Sequence, residues 1–457
     1  MTDLSLSQRP YTQPVPPAPR LPAKRSKGKK IFWLILLAVA IGVTWYGVSL
    51  ARSALKIFAS PSENASPVLK FLGQTVDPNQ LQGEGDDRIN VLLAGIGGAG
   101  HDGPELTDTI EVASIEPTEH KINLISIPRD LQVTVAGSGT MKINAVQAYA
   151  EQAKPGNGPV VMKQVVSQVL DMPIHYYVKV DFSGFKQFVD RIGGVDVNVK
   201  TVIDDPLYPS DVSDGYNPFY LAAGQTHMNG DTALKFARSR ETTSDFSRAA
   251  RQQQIMVAIR DKLLAQNTLA NPKELTDLLT ILGNHVKTDF AATDIQHLAG
   301  ILKDVDSTNI STKVLDNSTD SPLVSSNEGA YYLVPKSGNF RELQRVVHAF
   351  LPDPYLTKEA PTVSVINATG KPLETDELKL DLEALGYTVN SATAATTPSK
   401  TSSVVDHTNG KKPFTVKFLS QRFSVTASTA AAAANDQADV TVTVGSGYVG
   451  PWVRITE

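Results

Sequence analysis

Residues 88–127 read RINVLLAGIGGAGHDGPELTDTIEVASIEPTEHKINLISI. Three runs stand out in this stretch: RINVLLAGI from Arg88, TIEVASI from Thr109 and KINLISI from Lys121. Each is β-branched, of strand length and bounded by Gly, Pro or Asp clusters, so three strands are expected within about forty residues. Further along, VVMKQVVSQVL sets Val161, Val165, Val166 and Val169 at helical spacing, and YYVKVDF returns to strand character. FSGFKQFVDRIGG is a helix with a glycine terminator, followed by the strand VDVNV. Interleaved strands and helices predict an α/β fold, a central mixed β-sheet covered by helices on both faces.

Working outward, helical patterns resume at TALKFARSR, at RAARQQQIMVAIRDKLL and over about 272–304. GAYYLVPKSGNFRELQRVVHAFL then predicts a strand and a helix that close a domain over 87–350, with its core at 88–265. PDPYLTKEAPT carries three prolines in eleven residues, which marks a linker at 351–360. Beyond it, 361–447 predicts a small α/β domain: VSVINATG, a helix ending in LEALG, YTVNSA, and a last strand at ADVTVTVG. The tract SATAATTPSKTSS is low in complexity and is expected to be a mobile loop, STAAAAA a helix, and 448–457 a tail.

Toward the N-terminus, residues 51–86 carry scattered Pro, Gly and Ser without periodicity and predict a stalk. Before it, IFWLILLAVAIGVTWYGVSL at 31–50 has no charge and the length of one transmembrane helix. Residues 1–30, Pro- and Lys-rich, predict a disordered tail. That tail holds Arg9, Arg20, Lys24, Arg25, Lys27, Lys29 and Lys30 against Asp3, so the positive-inside bias puts the N-terminus in the cytoplasm and the bulk of the chain outside. The expected location is a cell membrane crossed once, at 31–50.

Composition removes several function classes. There is no cysteine, which excludes disulfides, thiolate nucleophiles and Cys-type zinc sites. With 43 basic and 47 acidic residues the chain has no electrostatic footprint for nucleic acid. GIGGAGHDG lacks the Gly-Lys-Ser/Thr ending of a P-loop and reads as a flexible loop, with His101 solvated.

The densest chemistry lies in FARSRETTSDFSRAARQQQ, which places Arg238, Arg240, Arg248 and Arg251 beside Asp245 and Gln252. Arg248 and Arg251 continue the inward stripe of Ile255 and Ile259, so these charges need partners. Guanidinium forks bind phosphate oxygens bidentately, and several converging arginines suit more than one phosphate. Asp108 in ELTDTIEV, and Asp130 beside Arg129 in SIPRD, fall at strand ends, where open α/β sheets gather ligands.

Together these blocks resemble the LytR-CpsA-Psr family of bacterial envelope proteins. The matching elements are NVLLAGIG, the TDT of ELTDTIEV, LISIPRD, KINAVQAYA, VDFSGFKQFVDRIGGVDVNV and GDTALKFARSRETTSDFSRAARQQQ, in family order after one transmembrane helix. The resemblance implies a phosphotransferase that attaches a glycopolymer from a polyprenyl-pyrophosphate carrier to cell-wall peptidoglycan through a phosphodiester. It also implies that Arg238, Arg240, Arg248 and Arg251 hold the pyrophosphate with Asp245 and Gln252, that Arg129 and Asp130 belong to the same site, and that Asp108 binds Mg²⁺ (or Mn²⁺). Arg240, Asp245 and Asp130 are the candidate catalytic groups. Gly97 and Leu106 stand where the family has an acidic residue and an arginine; either Asp102 or Glu105 supplies the missing carboxylate, or Asp108 holds the metal together with phosphate oxygens and water. Hydrolysis of the same pyrophosphate, or binding of lipid-linked glycan without catalysis, would use the same residues. The C-terminal unit resembles the small LytR-type domain often appended to these proteins.

Overall fold

The computed structural model describes residues 80–209, 215–239, 245–266, 282–283, 285–326, 331–371, 374–432 and 437–448. All of them fall in one compact unit, Arg52–Glu457. The expected tail, the transmembrane helix at 31–50 and most of the stalk lie outside the described residues.

Six strands form the central sheet: β1 (Ile89–Ile96), β2 (Thr107–Glu116), β3 (Lys121–Ser126), β4 (Tyr176–Asp181), β5 (Val286–Thr288) and β6 (Ile310–Val314), in the order β5-β4-β1-β2-β3-β6. β2 is antiparallel to β1 and β3, while β4 runs parallel to β1 and β6 parallel to β3. Hence β1, β3, β4 and β6 all point the same way. The three runs in 88–127 are the centre of this sheet, and their near-continuous burial follows from having both faces covered.

On one face, α1 (Ile143–Ala153), α2 (Gly158–Leu170) and α7 (Arg341–Phe350) pack Val146, Val165, Val166, Val169, Leu343 and Val347 against Leu92, Val112 and Ile125. On the other, α5 (Asp245–Ala265) and α6 (Ala292–Lys303) cover Ile89, Val91 and Leu124. α3 (Phe182–Arg191) and α4 (Gly230–Arg238) join α5 around a second core that includes Val189, Phe236 and Ile255. The result is the expected α-β-α layering on a mixed sheet. Between Gly95 and Ile96 the β1–β2 register shifts, pairing Gly95 with Thr109 and Ile96 with Thr107. Asp108 is therefore the extra residue of a bulge, a device that re-aims a side chain at a sheet edge.

The C-terminal unit is a five-stranded sheet of β7 (Thr362–Ala368), β8 (Thr388–Ala394), β9 (Ser403–Asp406), β10 (Ser428–Thr429) and β11 (Val440–Gly445), ordered β8-β7-β11-β9-β10. α8 (Pro354–Glu359) precedes it, and α9 (Glu374–Ala384) and α10 (Pro413–Arg422) pack on it. Four sequence expectations change here. Residues 81–86 of the stalk fold back, with Leu81 buried and the Gln82 N–H donating to the Tyr176 hydroxyl at 2.9 Å. The proline-rich linker is α8, because Asp353 caps the Tyr355 and Leu356 N–H groups and proline suits the first helical turn. The low-complexity tract enters β8 and is pinned by the Ser399 N–H donating to the Ala368 carbonyl at 2.8 Å. Of STAAAAA, Ser428 and Thr429 pair with β9 as a strand, and its described residues hold no helix.

Ion pairs join this unit to the first. Arg422 donates to both Asp171 oxygens at 3.3 and 3.0 Å, with the two side chains only 5% and 8% exposed. Arg341 of α7 pairs with Asp381 of α9, and the Tyr355 and Phe414 rings stack.

Candidate functional site

The carboxyl ends of β3 and β6, the start of β2 and the first turns of α5 enclose a cavity of about 400 Å³. Its walls include Asp108, Arg129, Asp130, Arg248 and Gln252, five residues separated in sequence by as many as 144 positions (252 − 108). Ser126, Leu315, Asn317, Tyr331 and Leu333 also line it. The β-bulge brings Asp108 to the Arg129 guanidinium at 2.6 Å. Directly after β3, the Pro128–Arg129–Asp130 turn is anchored by its backbone: the Leu333 N–H donates to the Asp130 carbonyl, and the Asn144 N–H to that of Arg129. Lys142, which precedes α1, donates to the Asp130 carboxylate at 2.6 Å.

α5 supplies Arg248 and Gln252 four residues apart, hence on one face. Arg248 is 7% exposed, which keeps its charge in a low-dielectric wall where an anion is attracted strongly. Gln252 is held by donating to the Ala237 carbonyl at 3.2 Å.

The remaining predicted residues sit elsewhere. Arg251 donates through Nε to the Phe236 carbonyl at 2.8 Å and also to the Ser239 carbonyl, so it ties the end of α4 to α5. Arg251→Ala would leave both carbonyls without their donor; a loss of about 2–3 kcal/mol is expected in denaturant unfolding. Arg238 lies over the Phe182 ring at 4.4 Å and the Tyr208 ring at 5.5 Å, and donates to the Tyr208 hydroxyl at 3.2 Å. Asp102 is exposed and is not among the cavity walls. Glu105 is taken up by Lys179 at 3.0 Å and Gln147 at 2.8 Å. Arg240 and the Asp245 side chain lie outside the described residues. His101 is half-buried, edge-on to Phe182, rather than solvated.

As a metal centre the site offers no closed cage. Among the described residues no three His, Cys, Asp or Glu side chains come together. Asp108 and Asp130 do share one cavity, which fits Mg²⁺ held by one or two carboxylates and completed by substrate phosphates.

Glu111, on β2, was not singled out from the sequence. It is 1% exposed, it pairs across strands with the cavity residue Ser126, and neither carboxyl oxygen has a hydrogen-bond partner within ordinary length. Desolvation raises its pKa to about 7, although the neighbouring Gln253 amide pulls the other way. The folded state thus holds a proton that the unfolded chain releases near 4.5, and the stability this confers is lost as pH rises from there through 7. Relative to Glu111→Gln, the wild type is expected to lose on the order of 3 kcal/mol between pH 4.5 and 8, measured as unfolding free energy.

Residues 56–348 match the LytR_cpsA_psr family, and residues 360–448 match the LytR cell envelope-related transcriptional attenuator family. A Bacillus mycoides protein named polyisoprenyl-teichoic acid–peptidoglycan teichoic acid transferase TagU is 31% identical over 267 residues, covering 57% of this chain and 79% of the relative. The protein TagV of Bacillus subtilis, named as the same transferase, is 31% identical over 250 residues, covering 54% and 60%. Its crystal structure aligns with 28% identity over 58% of this chain and 98% of that one, at a TM-score of 0.46. Since the first match spans well over half of the sequence, the chain belongs to the LytR-CpsA-Psr family.

Proposed function

We propose that this protein is a phosphotransferase that moves a glycopolymer from a polyprenyl-pyrophosphate carrier onto peptidoglycan, forming a phosphodiester. The observation that carries the reading is the convergence of Arg129, Arg248 and Gln252 with Asp108 and Asp130 around one cavity. Transferase names on relatives about 31% identical support it independently.

In this reading the Arg129 and Arg248 forks hold the two phosphates, and Gln252 adds a neutral donor. Phosphoryl transfer is mostly positioning and charge stabilisation, so fixed guanidinium groups in a desolvated wall supply what the transition state needs. Asp108 would hold Mg²⁺ (or Mn²⁺), which adds positive charge where the phosphate oxygens gather. Arg238, bracketed by Phe182 and Tyr208, stands beside the end of β4 rather than in the cavity wall, and Arg240 and Asp245 belong to the same segment of chain. The anchor at 31–50 keeps the site outside the cell and close to the membrane that retains the carrier's lipid.

The test incubates the full chain with carrier-linked glycan and Mg²⁺, with and without peptidoglycan. Glycan joined to peptidoglycan, with carrier consumed only when acceptor is present, is the expected result. Carrier consumed at one rate in both cases would make the protein a pyrophosphatase, and carrier bound but never consumed would make it a binder.

A further inference from the structure

The proposed reaction needs a base for the acceptor hydroxyl, and among the described residues the two carboxylates that line the cavity are both held in ion pairs. Asp130 is 7% exposed and paired with Lys142 at 2.6 Å and with Arg129 at 3.8 Å. Asp108 is paired with Arg129.

Along the same edge of the sheet, the His285 Nδ1 lies 3.0 and 2.9 Å from the two oxygens of Asp181. A carboxylate only accepts hydrogen bonds, so it places the imidazole proton on Nδ1 and leaves the Nε2 lone pair free to accept. The exposed Gln187 amide lies 3.3 Å from Nε2, at the position that the acceptor hydroxyl would take. The backbone repeats the connection, the Asp181 N–H donating to the His285 carbonyl at 3.1 Å.

Register fixes where this pair stands. Asp181 is opposite Ile96, and Ile96 is opposite Thr107, the neighbour of Asp108. Two strand spacings, about 10 Å, separate the pair from the start of β2. A diphosphate with its first sugar and an incoming hydroxyl covers that span. Arg238 lies on this side, over Phe182, the residue after Asp181. Glycines make room for both partners. A Cβ on Gly98, whose φ is +80°, would sit 2.7 Å from the Asp181 Cβ, and one on Gly184 would sit 2.4 Å from the His285 Cβ. The imidazole remains 28% exposed, open to an acceptor.

We propose that His285, oriented by Asp181, is the general base that takes the proton from the acceptor hydroxyl. This rests on the transfer reaction proposed above. The hydroxyl oxygen forms a new bond to the sugar-bearing phosphorus as that phosphorus loses its bond to the bridging oxygen. The electron pair leaves with polyprenyl monophosphate, and the hydroxyl proton passes to His285 Nε2 and then to water. His285 is the catalytic residue and Asp181 a positioning residue.

The test compares the full wild-type chain with His285→Ala, His285→Gln and Asp181→Asn, measuring transfer to peptidoglycan, the dissociation constant for the carrier, and rescue by added imidazole. For His285→Ala a fall in transfer of about 100-fold or more is expected, with carrier affinity kept within about twofold and free imidazole restoring much of the lost rate. His285→Gln, which keeps the shape of the side chain, is expected to fall equally. Asp181→Asn is expected to lower kcat without changing KM for the carrier. A His285→Ala protein at the wild-type rate, or one that loses carrier binding in step with rate and is not rescued, would overturn the assignment. A wild type that binds carrier and transfers nothing would instead overturn the underlying transfer reaction, and the role of His285 with it.

Discussion

Replacing Arg248 with Ala is expected to lower glycan transfer by about 10³-fold, the upper range for removing one preorganised donor from a charged transition state. Arg248 projects from the first turns of α5 into the cavity wall and is 7% exposed. Charge there acts through a low dielectric, so its loss costs far more than loss of a surface arginine would. Carrier binding should weaken as well, because both ground state and transition state carry phosphate charge. Arg248→Lys should fall between the two proteins, since it keeps the charge but not the planar fork. Steady-state transfer and carrier affinity, measured on all three, check this. An Ala variant within about threefold of wild type would remove Arg248 from the phosphate site.

The second large effect concerns stability. Arg422→Ala is expected to cost about 3–5 kcal/mol, because it strands a buried carboxylate. Asp171 closes α2 in a left-handed conformation, with its side chain only 8% exposed, and Arg422 is its bidentate partner. The pair crosses from the C-terminal sheet unit to the helices that back the central sheet. Denaturant unfolding of the variant should show the lower midpoint, while replacing both residues with apolar ones of similar volume should recover much of the loss. A single-variant cost under about 1 kcal/mol would mean that water reaches Asp171.

Legibility in the sequence followed element length. The three runs in 88–127 were long enough and apolar enough to read as central strands, and VVMKQVVSQVL and RAARQQQIMVAIRDKLL carried full helical periodicity. β5 and β10, with three and two residues, fell inside segments read as helical, at about 272–304 and in STAAAAA. They are strands because longer neighbours offer unpaired edges, a tertiary cause invisible locally. The His285–Asp181 pair was illegible for the same reason: β5 carries His285 to the end of β4 from 104 residues away.

Charged residues divided in a similar way. That Arg248 and Arg251 face inward was readable from their spacing to Ile255, and both are 7% exposed. What each one meets was not readable. The end of α4 presents carbonyls to Arg251, whereas Arg248, one turn earlier, meets the cavity. Glu111 is the one charged residue of TIEVASI, and helices on both faces of the sheet bury that position too. Lys142 gave no sign that it would reach Asp130, because the intervening hairpin of Gln132–Val135 and Gly139–Lys142 is what returns it to the turn.

The most direct test of the central claim is a crystal structure of the protein with a short-chain polyprenyl pyrophosphate bound. Both phosphates are expected inside the cavity, within hydrogen-bonding distance of Arg129 and Arg248 and beside Asp108. Phosphates bound away from these three residues would contradict it.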